Sequence, residues 1–314
     1  MASVGKYVVG RLLQAVVLLA VVSVITFALI MAAPGGPAIL YDPSITADEA
    51  ERIRALLGLD QPAHIQYLRW LGNVIRGDLG TSYTLGLPVA EVIAHRLPAT
   101  LLLSGASILF AVALGIPLGM LSAVRRNSWI DNAVTAISFM GMSIPVFWYG
   151  LMLMILFSVR WRLLPAGGLE TDTVASTLKH LVLPAVVLGT VHMAEITRYT
   201  RASMLSVLHQ DYIRTARSKG VKETWVLAKH ALKNAILPVV TVIGLLLPKV
   251  ATGSAITEQV FAWPGMGQLA VRAAYQRDYP VIMGVTLVVS VVVILCNLVV
   301  DLLYVYLDPR VRYE

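Results

Sequence analysis

The chain has 314 residues, 57% of them hydrophobic and 14% charged, a balance that excludes an ordinary soluble domain and makes the bilayer the expected solvent. Its net charge of +7 could suit nucleic acid, but no aromatic-interleaved basic face and no nucleic-acid module is present, so no nucleic-acid partner is expected. The lone cysteine, Cys296, lies in an apolar run, which leaves no intrachain disulfide and no statement about redox compartment.

In chain order, six stretches approach the roughly 20 apolar residues that a membrane span needs: 12–33, 101–124, 133–159, 180–197, 235–256 and 281–300. The predicted fold class is therefore an all-α integral membrane protein. The first stretch follows Lys6 and Arg11 and ends in Met31-Ala32-Ala33, as a cleaved signal would, but it is longer than a typical signal core. Six spans put both termini on one side. Lys6, Arg11, Arg125, Arg126, the basic residues of 198–233, Arg310 and Arg312 share that side, which should be cytoplasmic.

The connector 34–96 reads as a folded cap outside the membrane. DEAERIRALLGL has the pattern of a short amphipathic helix, and QYLRWLGNVIRGDLGTSY that of a second helix running into glycine turns. It is either a docking face for an external partner or a cover for helix ends. Two outer loops, 160–179 with LPAGG and 257–280 with FAWPGMGQL, are rich in turn residues. Their Trp161, Trp263, Tyr275 and Tyr279 are expected to be interfacial anchors. The spans from the second to the sixth read as one helical unit over 97–306, with 1–33 and the cap before it and a short tail, 307–314, after it.

No GxxxxGK[ST] loop occurs, so the chain is not expected to bind ATP itself. Nor is there an HExxH, a CxxC pair or a GxSxG; the six histidines are scattered, and neither a metal site nor a catalytic set is expected.

Between the fourth and fifth spans lies a basic island, 211–238. It carries Arg214, Arg217, Lys219, Lys222, Lys229 and Lys233 against Asp211 and Glu223. At helical spacing Tyr212, Ala216 and Lys219 share one face and Arg214 and Arg217 another, before Gly220 interrupts. A second short helix should follow, with Val221, Trp225 and Leu232 near one face. Two short helices meeting at a glycine would make a projecting knob. The same charges could instead hold anionic lipid head groups.

RTARSKG followed by NAILP resembles the EAA loop of ABC-importer permeases. The Glu-Ala-Ala positions fall on Arg214, Thr215 and Ala216, the fixed glycine on Gly220, and the closing Leu-Pro on Leu237 and Pro238. Arg214 in place of the acidic residue and the longer run to Leu237 are features of the dipeptide and oligopeptide permease subfamily. RGDLGTSY, PVAEVIAHRLPATLLL, SIPVFWYG, LPAGG, FAWPGMGQL and RDYP, in that order, are also similar to the first permease subunit of peptide and nickel uptake systems.

The resemblance implies a six-helix permease of the type I importer fold, without catalytic residues. It implies that ATP and magnesium are bound by two cytoplasmic ATPase subunits, which grip the knob at Arg214, Thr215, Ala216, Arg217, Lys219, Gly220 and Trp225. A second homologous permease, an external solute-binding protein, a peptide substrate, surrounding membrane lipids and a prokaryotic plasma membrane are implied as well. The main alternative is a lone ion-coupled secondary transporter using Lys249, Glu195 and Asp301.

Ionisable groups inside spans are costly and so are functional candidates. Lys249 follows Pro248 in GLLLPKVATGS, and with Ser138, Ser143 and Trp148 it is expected to border the substrate pathway; the plainer readings are that it snorkels or pairs with Asp301 or Asp131. Glu195 is expected to pair with Arg198. Gly115 and Gly119 form a small-xxx-small patch suited to helix packing.

Overall fold

The computed structural model describes residues 2–41 and 43–307; Arg310 and Arg312 of the expected tail lie outside the described residues. Thirteen α-helices follow one another among these residues: α1 (Ala2–Ala32), α2 (Ala47–Leu56), α3 (Ala63–Ile75), α4 (Val89–Val124), α5 (Trp129–Ser143), α6 (Val146–Met154), α7 (Val174–Leu208), α8 (Asp211–Ser218), α9 (Glu223–Trp225), α10 (Leu232–Ala251), α11 (Ala255–Val260), α12 (Met266–Gln276) and α13 (Tyr279–Leu307). Five segments are long and apolar enough to cross a membrane, six if the bent pair α5 and α6 counts as one. In hydrocarbon every backbone group must bond within its own segment, which a helix does and an open strand does not. At 36 and 35 residues, α4 and α7 are each over about 50 Å long, beyond the roughly 30 Å hydrocarbon core.

The third expected span, 133–159, is not a straight helix. The chain bends by 103° between α5 and α6. Pro145 has no N–H to continue the ladder and pushes the residue before it out of the helical region, and Ile144 is accordingly extended, at φ −76° and ψ 127°. Beyond α6 the segment Ile155–Arg160 widens to a π-helix. The fifth span also ends sooner than 256: the helix stops at Ala251 and the chain turns at Gly253, whose φ is +75°.

The residues divide into two compact units. One comprises the chain up to Thr100 together with Pro264–Leu295. Its core is Val89, Ile93, Met266, Leu269, Val281 and Val285. The two predicted cap helices are present as α2 and α3, and α2 starts at a capping box in which Thr46 accepts the Glu49 amide and Glu49 accepts the Thr46 amide. The loop after α3 is stapled by buried Asp278, whose carboxylate accepts the Ser82 hydroxyl, the Tyr83 and Thr84 amides at 3.1 Å and the Thr84 hydroxyl at 2.8 Å. Burial pushes the Tyr83 hydroxyl up to about 12, and the Asp278 charge adds to the shift.

The second unit comprises Leu101–Trp263 with the chain from Cys296 onward, and α7 is its hub. Gly119 of α4 lies so close to α7 that an added Cβ would stand 2.6 Å from the Thr197 carbonyl oxygen, and one at Gly115 would stand 3.0 Å from that of Met193. Asp131 of α5, with its side chain 4% exposed, receives a bidentate grip from Arg201 of α7 at 2.7 and 2.8 Å. The same carboxylate accepts the Ser122 hydroxyl and the Asn127 amide. Asp131 is thus the partner of Arg201, not of Lys249. Trp263, expected as an interfacial anchor, is instead fully buried, as is Phe261. Gly167 and Gly168 of the LPAGG loop lie against Phe261, whose carbonyl accepts the Gly168 amide at 2.8 Å. Trp161 does stay exposed, edge-on to Phe157 at 5.0 Å.

Removing one member of a buried ion pair strands the other, at a typical cost of about 3 kcal/mol. Asp131→Asn should therefore lower the thermal unfolding midpoint in detergent clearly, whereas Asp131→Asn with Arg201→Met should recover part of the loss. A single variant as stable as the parent would show that the pair contributes nothing.

Candidate coupling site

The basic island begins where α7 ends. Gln210 leads into α8, an eight-residue helix whose inner face is Ile213 and Ala216, three apart and buried at 0% and 8% exposure. Those two pack with Met204 of α7, Ala123 of α4, and Val226, Ala231 and Ala235 beyond the turn. The buried face is thus 213 and 216, whereas Tyr212 and Lys219, expected beside Ala216, are exposed. Small residues at 216, 231 and 235 let the helices approach closely while Ile213 and Met204 fill the seam.

Gly220 reverses the chain at φ +74°, a left-handed conformation open to glycine at little cost. Across that turn Arg217 grips Glu223 with both nitrogens, at 3.1 and 2.6 Å. The bonds push the already high Arg217 guanidinium higher still. Arg217, expected as a partner-binding residue, is therefore committed within the chain. An exposed pair of this kind contributes less than about 1 kcal/mol, but it pins the turn.

The expected second short helix is not separate. From Glu223 to Lys249 the chain is one continuous helical segment, because no proline or glycine interrupts it before Pro238, which sits inside α10. The join is a π-helical stretch, Val226–Ala231, a local widening often found where a helix carries function. Val226, not Trp225, is the buried anchor; Trp225 is 58% exposed and lies under the Lys229 ammonium at 5.7 Å. Leu237 is 43% exposed and Pro238 is exposed beside it. A further tie, from the Ser203 hydroxyl to the Ala235 carbonyl at 2.7 Å, fastens α7 to α10 next to the island.

The outer surface of the hairpin therefore carries Arg214, Thr215, Lys219, Gly220 and Trp225, all exposed. Arg214 has a loose contact with Asp211 at 3.6 Å. The hairpin is thus packed on one side against the ends of α7 and α10 and basic and exposed on the other.

The pathway residues are placed differently. Ser138 is 2% exposed and donates to the Val134 carbonyl; Ser143 is exposed and donates to that of Phe139. Trp148 is 48% exposed beyond the bend and Lys249 is exposed on α10. No hydrogen bond or ion pair among the described residues joins Lys249 to the other three. The expected Glu195 and Arg198 pair is absent too: Arg198 sits over the Phe139 ring at 5.5 Å and contacts the Met142 sulfur. Sequence reasoning missed the Arg201 grip on Asp131, and Ser203. An arginine seven residues before the end of a span was its one available signal.

Residues 115–313 match the family described as binding-protein-dependent transport system inner membrane component, and residues 4–104 match the N-terminal region described for such components. Among curated proteins the chain is 47% identical over 315 residues to the oligopeptide transport system permease protein AppB of Bacillus subtilis, covering 98% of this chain and 100% of that one. It is 41% identical over 320 residues to the dipeptide transport system permease protein DppB of Escherichia coli, covering 93% and 94%. The glutathione transport system permease protein GsiC of Escherichia coli is 43% identical, with 98% and 99% covered. Among solved structures, a chain of the MetNI methionine ABC transporter in an inward-facing form superposes with a TM-score of 0.58 at 20% identity, over 69% of this chain and 96% of that one, a likeness of fold. These matches set aside a lone ion-coupled carrier: the chain belongs to the family of binding-protein-dependent transport system inner membrane components, as a permease component of an ABC transporter.

Proposed function

We propose that this chain forms half of the translocation pathway of an ATP-driven peptide importer. Two cytoplasmic ATPase subunits bind ATP and magnesium, and a second permease of the same kind completes the pathway. The observation that carries the reading is the hairpin at Gly220. Its inner face is locked into the ends of two spanning segments, and its outer face presents cations, of which Lys219 has no ion-pair partner among the described residues. A peptide cargo is supported by the peptide permeases to which the chain is similar from end to end. Both termini and the hairpin face the cytoplasm, as the basic residues favour. An external solute-binding protein delivers cargo at the opposite face, over the segment 34–96.

The mechanism follows from rigidity. A force on α8 passes through Ile213 and Ala216 to Met204, Val226 and Ala235 without loss in a soft joint, because these side chains are fully packed. Ser203 and the Arg201 to Asp131 pair tie that movement to α10 and to α5. ATPase closure thus re-packs the spans between inward-open and outward-open arrangements as bodies. The Ile144–Pro145 break gives α6 a direction different from that of α5, and both helices pack against α7. Lys249, Ser143 and Trp148 supply a cation, a hydroxyl and an aromatic face to a passing peptide, while Ser138 supports α5 from within.

An added Cβ at Gly220 meets nothing of its own chain within 4 Å. Aspartate is among the few side chains that enter this left-handed region, at a cost of about 1–2 kcal/mol, so Gly220→Asp should leave the chain folded while peptide uptake falls about tenfold or more and ATP hydrolysis continues. Normal coupled uptake would sink the assignment of this turn as the contact. Arg214→Glu with Lys219→Glu should weaken co-purification of the ATPase subunits, whereas Arg217 is a poor choice because its loss also frees Glu223.

Lys249→Met tests the pathway separately: uptake should drop with the complex still assembled, and unchanged uptake would remove Lys249 from the route.

A further inference from the structure

A well-formed cavity lies within the unit that holds the N-terminal helices, away from the hairpin. It has a volume of about 310 Å³ and is bounded by Phe27 near the end of α1, by α3, by the glycine turns after it, and by Tyr279 to Met283 at the start of α13. Its floor and walls are apolar: Phe27, Leu57, Leu79, Pro280 and Met283. Its polar lining includes Arg69, Trp70, Asn73 and Tyr83, and no carboxylate. Arg69 has no ion-pair partner among the described residues. The Trp70 indole N–H is buried without an acceptor among the described residues, a condition that is unfavourable when nothing answers it. Burial keeps the Tyr83 hydroxyl protonated, as a donor. A cavity with several donors, one free cation and no acid is complementary to an anion.

The position of α3 says where that anion comes from. The Tyr67 hydroxyl bonds to that of Ser23 at 2.9 Å, and its ring packs at a tilt against that of Phe27, 5.4 Å between centroids. Ser23 lies nine residues before the end of α1 at Ala32, about 13 Å along the helix axis. The apolar stretch Val9–Ala32 is about 36 Å long against a hydrocarbon core of about 30 Å. Tyr67 therefore reaches below the level of the head groups, and α3 lies one tyrosine length away, at the membrane interface. Consistent with that depth, α3 exposes an apolar row, Ile65, Leu68 and Ile75, at 38%, 62% and 78%. The row is on a different face from the cavity residues 66, 70 and 73, with Arg69 standing between the two. Below Met283 the seam between α1 and α13 holds no water-sized space, so the cavity is a shallow seat and not a channel along the span.

We propose that this seat binds the anionic head group of an outer-leaflet phospholipid, with Arg69, Trp70 and Asn73 on the phosphate and the acyl chains running outside over the apolar row of α3. In this arrangement α3 is an interfacial helix embedded in the leaflet, and a bound lipid fastens it to the ends of α1 and α13. The inference rests on the proposed orientation, with the N-terminus cytoplasmic, and is independent of which cargo is carried.

The test uses the full-length chain, purified with whatever subunits accompany it, stripped of lipid and titrated with phosphatidylglycerol, phosphatidylcholine or inorganic phosphate while bound lipid is counted by native mass spectrometry. One phosphatidylglycerol should be retained per chain in preference to phosphatidylcholine. Retention should fall about tenfold in Arg69→Glu and by a smaller factor in Trp70→Phe, which keeps the ring and removes only the N–H. Millimolar inorganic phosphate should not displace the lipid. Equal retention by the parent and both variants would overturn the proposal, as would complete displacement by inorganic phosphate, which would make the seat a free-anion site, or by an added peptide, which would make it part of the cargo route.

Discussion

Close contact between α4 and α7 is the constraint on which the second unit depends. In a bilayer, apolar surface gains nothing by leaving lipid for protein, so helices associate through van der Waals fit and polar ties. Gly115 and Gly119 bring α4 against the Met193 and Thr197 carbonyls of α7, and Gly189 of α7 comes as close to the Ser107 carbonyl. Once those backbones touch, the Ser122 hydroxyl and the Arg201 guanidinium converge on one carboxylate, Asp131. Replacing a glycine there by a larger residue would part the helices and pull that polar cluster open, so the packing and the ion pair stand together.

The hairpin at Gly220 inherits its rigidity from the same arrangement. Met204 lies one turn beyond Thr200, which faces Gly119, and the core around Ile213 is continuous with Ala123 at the end of α4. A basic surface on a mobile loop would bind a partner but transmit little. Anchored by Ile213, Ala216 and Val226, the same surface is held against α7 and α10, as the proposed coupling requires. The π-helical join at Val226–Ala231 lets the basic hairpin run into α10 without a break, so no loose linker intervenes between the contact and the span.

The corrections share one physical origin. Ile144–Pro145 was visible in the sequence and its extended backbone follows from proline's ring, yet the size of the bend depends on what α6 packs against. Trp263 reads as an interfacial anchor because tryptophan favours that level, but it is fully buried two residues after Phe261, against which the LPAGG loop packs. Arg217 and Glu223 are six apart with a glycine between, a spacing that no helical rule pairs; only the left-handed turn at Gly220 brings them together. Arg198 abandons Glu195 for the Phe139 ring because a neighbouring helix presents one.

By itself the sequence determined the solvent, the order and approximate places of the apolar segments, the cap helices, the basic turn and the resemblance that named its class. Each of these rests on composition, on periodicity, or on residues close together in the chain. Tertiary structure alone decided which charges pair, which aromatics are buried and where a cavity forms, since Asp131 and Arg201, 70 residues apart, and Phe27 and Tyr67, 40 apart, meet only when helices pack. Whether Arg214 and Lys219 are free to meet a partner was likewise decided by the fold, because the turn that exposes them is the one that consumes Arg217.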